Sequence, residues 1–447
     1  MKRALFTSIY LFLIANVSGQ SSDSIVIKGQ ILPVASKFIS PKVSLLPYNA
    51  DDPYYFAAIN PDGTFSLKIP IKTPHLYDVK YGGYSKYILL TPAEPSITYL
   101  IEADGDKVRL MKATGSTENK AYFEFRQAGN SLEDGLKGFR ENVSNNSDGY
   151  TNKVANGINT FNKAMEALRQ QYPSTYTATV LSKVATLPQI DRTKPLLEQV
   201  QQHFFDGVDW TNFLLYNTPD LDRKMTFYLE NIADTSAAGE LAFINTLYAA
   251  VKREPVPRQQ LTNLMFTQLV NNLREDYLHT YITWALAQPF IMDAMPVLAA
   301  KIKLVANVLP GAKAADVTGA DVNGITQSLY SSVKGHKLTM LLFWESGCSH
   351  CRQSMPEFKR VYNKYHDAGF EVFAASMDVD TAHWKQFISK NDLKWVNILL
   401  PSPSNAHSDY YIQYTPTMVL IDGNGTIIRR FIEVEELDKA IAKFMGD

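Results

Sequence analysis

The chain has 447 residues, 45% of them hydrophobic and 20% charged, which suits a globular protein of about three domains at ~150 residues each. Lysine plus arginine number 44 against 45 aspartates plus glutamates. That balance offers no clustered basic excess, so nucleic acid is not an expected partner and neither is an anionic membrane surface.

The N-terminus, MKRALFTSIYLFLIANVSGQ, places Lys2 and Arg3 before an apolar run from Ala4 to Ala15, followed by the small residues Val17-Ser18-Gly19. A run of about a dozen apolar residues falls short of the ~20 that span a bilayer. Residues 1–19 therefore read as a cleaved signal peptide. The expected product is soluble and periplasmic or otherwise exported, and it is not lipid-anchored because this segment has no cysteine.

Residues 20–117 read as an all-β sandwich. SIVIKGQI, VSLLPY, TFSLKIPI, YILL and SITYLIEA are short β-branched and aromatic runs separated by Pro, Gly, Asn and Asp, and antiparallel pairing is expected. Asn60-Pro61-Asp62-Gly63 is a turn, since Pro61 presets φ and Gly63 accepts a positive one. Residues 118–305 change to a helical period. Phe161, Ala164, Met165 and Leu168 recur at i, i+3, i+4 and i+7, as do Leu261, Leu264, Met265 and Leu269, and Leu241, Ile244, Tyr248 and Val251. Breaks fall at Asn145–Gly149 and Glu254–Pro257. The many aromatic residues here read as core rather than as a ligand box.

LPGAKAADVTGADVNG reads as a linker opening the last region, residues 306–447. Beyond it Leu338–Glu345 and Glu371–Met377 are continuous apolar runs suited to strands buried on both faces. Ser349–His366 and Thr381–Lys390 are helical in pattern. An irregular stretch follows, then a hairpin of Thr417–Asp422 and Gly425–Phe431 around Asn424-Gly425. A helix over Val434–Phe444 closes an α/β domain on a mixed sheet.

The only two cysteines, Cys348 and Cys351, lie in FWESGCSHCRQSMPEF, where a buried strand gives way to a helix. A disulfide closing so small a loop is a poor structural staple. Zinc needs four ligands, and the eight histidines supply no paired H-x₃₋₅-H, so no metal is expected. The first turn of a helix carries unpaired amides and positive partial charge, which stabilise a thiolate. The pair thus reads as a redox couple, Cys348 the nucleophile and Cys351 the resolving thiol one turn on, with no cofactor beyond their own disulfide.

FWESGCSHCRQSMPEF, EVFAASMDVDTAHWKQF and YTPTMVLIDGNGTI, in that order, resemble the thioredoxin fold, and more narrowly the exported TlpA/ResA-type thiol–disulfide oxidoreductases. The resemblance covers residues 306–447. INPDGTF and ATGSTENKAYFEF resemble a β-sandwich domain of unknown function and a helical region that precede such domains. The resemblance implies that Cys348 and Cys351 are the nucleophilic and resolving cysteines, and that Thr415-Pro416 is a cis pair whose backbone receives a substrate strand. It also matches Pro356 to a helix-kinking proline and Trp344 to an aromatic before the pair.

Three departures from the family pattern matter. Gly347 stands where tryptophan is frequent, leaving the nucleophile less covered. Ser354 replaces an acidic residue, and Ser349-His350 fills the place where a proline is common. Glu345, and more weakly Asp378 and Asp380, are then candidates for moving the Cys351 proton. His350 is a candidate for tuning the Cys348 thiolate.

The expected activity is exchange with protein thiols and disulfides, as a reductase recharged by a membrane electron donor, or as a disulfide donor or isomerase if His350 dominates. A peptide-binding or chaperone-like protein with an incidental C-x-x-C is the alternative. The N-terminal regions would serve docking or homodimerisation.

Overall fold

The computed structural model describes residues 24–33, 40–48, 53–104, 107–144, 148–191, 193–271, 275–430 and 432–446. The expected signal peptide, the Asn145–Ser147 break and Phe431 lie outside them. Among the described residues no helix is long and apolar enough to cross a membrane. Two compact units emerge, residues up to 224 and residues from 225 on.

The first unit begins with eight strands: β1 Ser24–Leu32, β2 Lys42–Pro47, β3 Tyr55–Ala58, β4 Thr64–Pro70, β5 His75–Tyr81, β6 Tyr84–Leu90, β7 Ser96–Asp104 and β8 Lys107–Thr114. They form two four-stranded sheets, ordered β4-β1-β7-β8 and β3-β2-β5-β6. Inward-pointing residues of both, such as Ile27, Ile69, Ile97, Val43, Val79 and Ile88, share one core. The Asn60–Gly63 turn forms as expected, with Gly63 at φ 80° and its amide bonded to Asn60 O at 2.9 Å. Pairing is not wholly antiparallel, because β1 and β7 run parallel. The intervening chain visits the second sheet before returning beside β1, so the two strands need not be joined by a hairpin. Composition also passed over β3, which is only four residues long, and β5 and β8, whose runs are interrupted by polar residues.

Helices follow from Thr117, including Thr117–Leu136 and Asp148–Gln171, whose Phe161, Met165 and Leu168 are buried. The second unit takes the rest of the helical region, including Ala237–Ala250, Pro255–Asn271, Glu275–Leu286 and Pro296–Ala306. Leu261, Leu264, Met265 and Leu269 are buried, whereas Leu241 is 41% exposed and leaves the stripe containing Ile244, Tyr248 and Val251 incomplete. Within this unit Glu275 accepts the Arg430 backbone N–H at 2.7 Å and the Phe266 ring sits 6.4 Å from Tyr411.

The C-terminal sheet has seven strands: β9 Thr318–Asp321, β10 Thr326–Ser328, β11 Leu338–Trp344, β12 Phe370–Ser376, β13 Val396–Leu399, β14 Thr417–Asp422 and β15 Ile427–Arg429. Their order is β10-β9-β13-β12-β11-β14-β15, with β11, β12 and β13 parallel and the rest antiparallel. Every residue of β11 and β12 is buried, as continuous apolar runs require. Helices Ser349–Tyr365, Thr381–Asn391 and Leu437–Met445 pack against one face through Phe358, Trp384 and Ile441.

Two sequence expectations change here. The segment read as a linker contains β9, and the irregular stretch contains β13, which pair with each other. Gly319 explains the first: a Cβ there would lie 2.3 Å from Leu399 O, so a small residue is needed where the strands meet. Composition sees a flexible glycine where the sheet needs close approach.

Candidate active site

Strand β11 ends at Trp344, and a tight turn closed by Cys348 N–H on Glu345 O (3.2 Å) leads into the helix Ser349–Tyr365. Cys348 is the helix N-cap residue, with extended φ −73° and ψ 125°. Its thiol lies 3.5 Å from the Thr415 carbonyl. Thr415–Pro416 is cis, and Thr417 Oγ1 donates to Tyr414 O at 2.6 Å across it. Cys348 is half-buried and Cys351 fully buried, and both are free thiols.

The two sulfurs are chemically unlike. Partial burial of Cys348 opposes ionisation, but the Cys351 amide, the Thr415 and Cys351 side chains and the His350 amide outweigh it and hold its pKa below the ordinary thiol value. No amide closes a tight capping bond on the sulfur; the N–H groups act by lying in its field. Cys351 sits in the core cluster with Trp344 and Met355, and burial pushes its thiol up to about 12 despite the nearby Glu345 amide.

The other expected residues fall into place unevenly. Trp344 is fully buried, 5.5 Å from the Phe387 ring, and supports the core rather than a surface. The contacts of Glu345 and His350 with the pair run through their backbones, and the His350 side chain is exposed. Gly347 has open space where a side chain would stand. Pro356 lies inside the helix. Asp380 caps the helix Thr381–Asn391, accepting from Ala382 and His383 N–H. Asp378 binds Ser346, a residue the sequence reading passed over because a serine beside a cysteine carries no distinctive pattern. Beside Pro416 is a recess of about 80 Å³ whose walls include Val270, Tyr414 and the buried Arg430. Among the described residues no group of His, Cys, Asp and Glu side chains is arranged to hold a metal ion.

A central sheet carrying a C-x-x-C pair at a strand–helix junction, faced by a cis-proline loop, defines a thioredoxin-like domain. Residues 335–427 match the family model described as Thioredoxin-like. The chain is similar to the thiol-disulfide oxidoreductase ResA of Bacillus cereus, 29% identical over 122 residues, which cover 27% of this chain and 69% of that protein. ResA of Oceanobacillus iheyensis is 33% identical over 95 residues, covering 20% and 47%. The chain thus spans 47% to 69% of the length of these curated relatives. Among solved structures, the thioredoxin domain of a thiol-disulfide oxidoreductase from Bacteroides vulgatus is 30% identical, covering 30% of this chain and 97% of that one, with a TM-score of 0.29. Residues 335–427 of this chain are accordingly a thioredoxin-like domain, similar in sequence to the ResA thiol–disulfide oxidoreductases.

Proposed function

We propose that the chain is an exported reductase of protein disulfides in which Cys348 attacks and Cys351 resolves. The asymmetry of the two sulfurs carries this reading: one is accessible and easily ionised, the other buried and protonated. The Cys348 thiolate attacks one sulfur of a substrate disulfide, forming a mixed disulfide and expelling a substrate thiolate, which takes up a proton. Cys351 then loses its proton and attacks the Cys348 sulfur, expelling the second substrate thiolate. Two electrons have passed to the substrate, and the Cys348–Cys351 disulfide remains as the only redox group the cycle needs. A membrane electron donor would restore the dithiol.

The Thr415 backbone beside Pro416 offers pairing to an extended substrate strand. His350 contacts the sulfur through its backbone amide and its side chain is exposed, where solvent screens any charge on the ring, which favours the reductase over the donor. The N-terminal unit would dock substrates or join two copies. Export and the electron donor rest on the N-terminal sequence and on the chemistry of the oxidising compartment it implies.

Three measurements test the reading. Cys351→Ser should trap a mixed disulfide at Cys348, and the couple should equilibrate near or below about −250 mV. A potential near −150 mV would instead make the protein a disulfide donor or isomerase. Cys348 alkylation should also rise with pH and level off below the ordinary thiol range, since thiolate forms as pH rises through its pKa, whereas Cys351 should resist until about pH 12.

A further inference from the structure

Beside the nucleophile's turn lies a hydrogen-bond chain that the exchange chemistry does not use. Trp344 and Ser376, the last residues of β11 and β12, are register partners, and Met377 N–H donates to Trp344 O at 3.0 Å. Asp378, two residues beyond β12, reaches Ser346, two residues beyond β11. Its Oδ2 accepts the Ser346 N–H at 2.9 Å and the Ser376 hydroxyl at 2.7 Å, and its Oδ1 accepts the Ser346 hydroxyl at 2.7 Å. Ser346 and Ser376 are fully buried, so water cannot stand in for these bonds. His383 Nδ1 lies 2.7 Å from Ser346 Oγ.

Donor counting fixes the direction of this chain. A carboxylate only accepts, so the single Ser346 hydroxyl proton points to Asp378. The short contact with His383 must then be a donation from its ring, which places a proton on Nδ1. The backbone N–H of His383 goes to Asp380 Oδ1 at 3.0 Å, which leaves Ser346 as the partner of its ring. Two bonds to one carboxylate, itself anchored by the Ser376 hydroxyl, hold Ser346, whose neighbour Gly347 has open space around it and cannot brace the turn by packing.

We propose that Asp378 is the positioning residue of the nucleophile: acting through Ser346, it holds the Glu345–Cys348 turn so that the Cys348 sulfur stays over the first turn of its helix, with the Nδ1–H of His383 as the outer lock. Asp378 does not bond the sulfur. It fixes where the sulfur stands relative to the Cys351 and His350 amides. The proposal rests on Cys348 being the attacking thiol.

The test is the pH dependence of Cys348 alkylation by iodoacetamide in the reduced full-length protein, read by mass spectrometry with thermal unfolding in parallel. Asp378→Asn should raise the Cys348 midpoint by about one pH unit, which is about tenfold less thiolate at any pH below both midpoints. Ser346→Ala, which removes only a hydroxyl and serves if Asp378→Asn does not fold, should move it the same way, and His383→Gln less. Nitrogen NMR should find the His383 proton on Nδ1. An unmoved midpoint in a folded variant, even one of lower melting temperature, would reduce Asp378 to a structural staple and overturn the proposal, as would a proton on Nε2 alone. A wild-type Cys348 that titrates like an ordinary thiol would overturn the functional reading itself, and this proposal with it.

Discussion

Two strand-to-helix junctions in this molecule start from the same physics and end differently. After β8 the chain enters the helix Thr117–Leu136 through Ser116, whose hydroxyl oxygen accepts the Asn119 N–H at 3.0 Å. Glu94 takes the Glu118 N–H at 2.9 Å, and the side chain of Asn119 clamps both N–H and C=O of Leu89 at 2.8 Å. Glu118, 3% exposed, accepts Tyr176 N–H, Thr177 N–H and the Thr177 hydroxyl. The side chains of Ser116, Asn119 and Glu118 there are committed to backbone partners.

After β11 the chain enters a helix through Cys348, where a thiol occupies the capping position and no tight capping bond forms. The amides that a serine would consume remain to stabilise a thiolate. The lesson is that a helix start is a structural lock or a nucleophile site according to what its first residue does with the orphan amides.

Breaking the contrast at the cysteine should have the largest effect. Cys348→Ser supplies a good capping hydroxyl, so disulfide exchange should fall to the uncatalysed rate while stability holds or gains up to about 1 kcal/mol. Insulin reduction and thermal unfolding check the two halves. Breaking the lock at its most buried member comes next. Glu118→Gln sets an amide donor against groups that themselves donate, and should cost about 2 kcal/mol by chemical denaturation, with the Cys348 couple unchanged. The smallest effect is expected from Ser116→Ala, which removes one cap and should cost about 1 kcal/mol. A change in exchange activity in either of the last two would show that the junctions are not independent.

Much of this was legible in the chain. Two cysteines one helical turn apart, placed after an apolar run, require little beyond helix geometry to be read as a redox pair, and the buried strands β11 and β12 announce themselves because burial on both faces leaves no alternation. β9, β13 and the parallel partnership of β1 with β7 were not legible. Short strands rich in Gly, Asp or Asn acquire their identity from a neighbour distant in sequence, and pairing direction depends on the path between them.

By itself, then, the sequence pointed to a class of chemistry and to residues suited to it, because thiol reactivity and helix-end electrostatics are local. Only the tertiary structure decided that the backbones of Glu345 and His350 bear on the pair and that the Asp378 carboxylate accepts from Ser346. Those outcomes depend on which strand ends lie side by side, and residues 32 positions apart meet only when the sheet has formed.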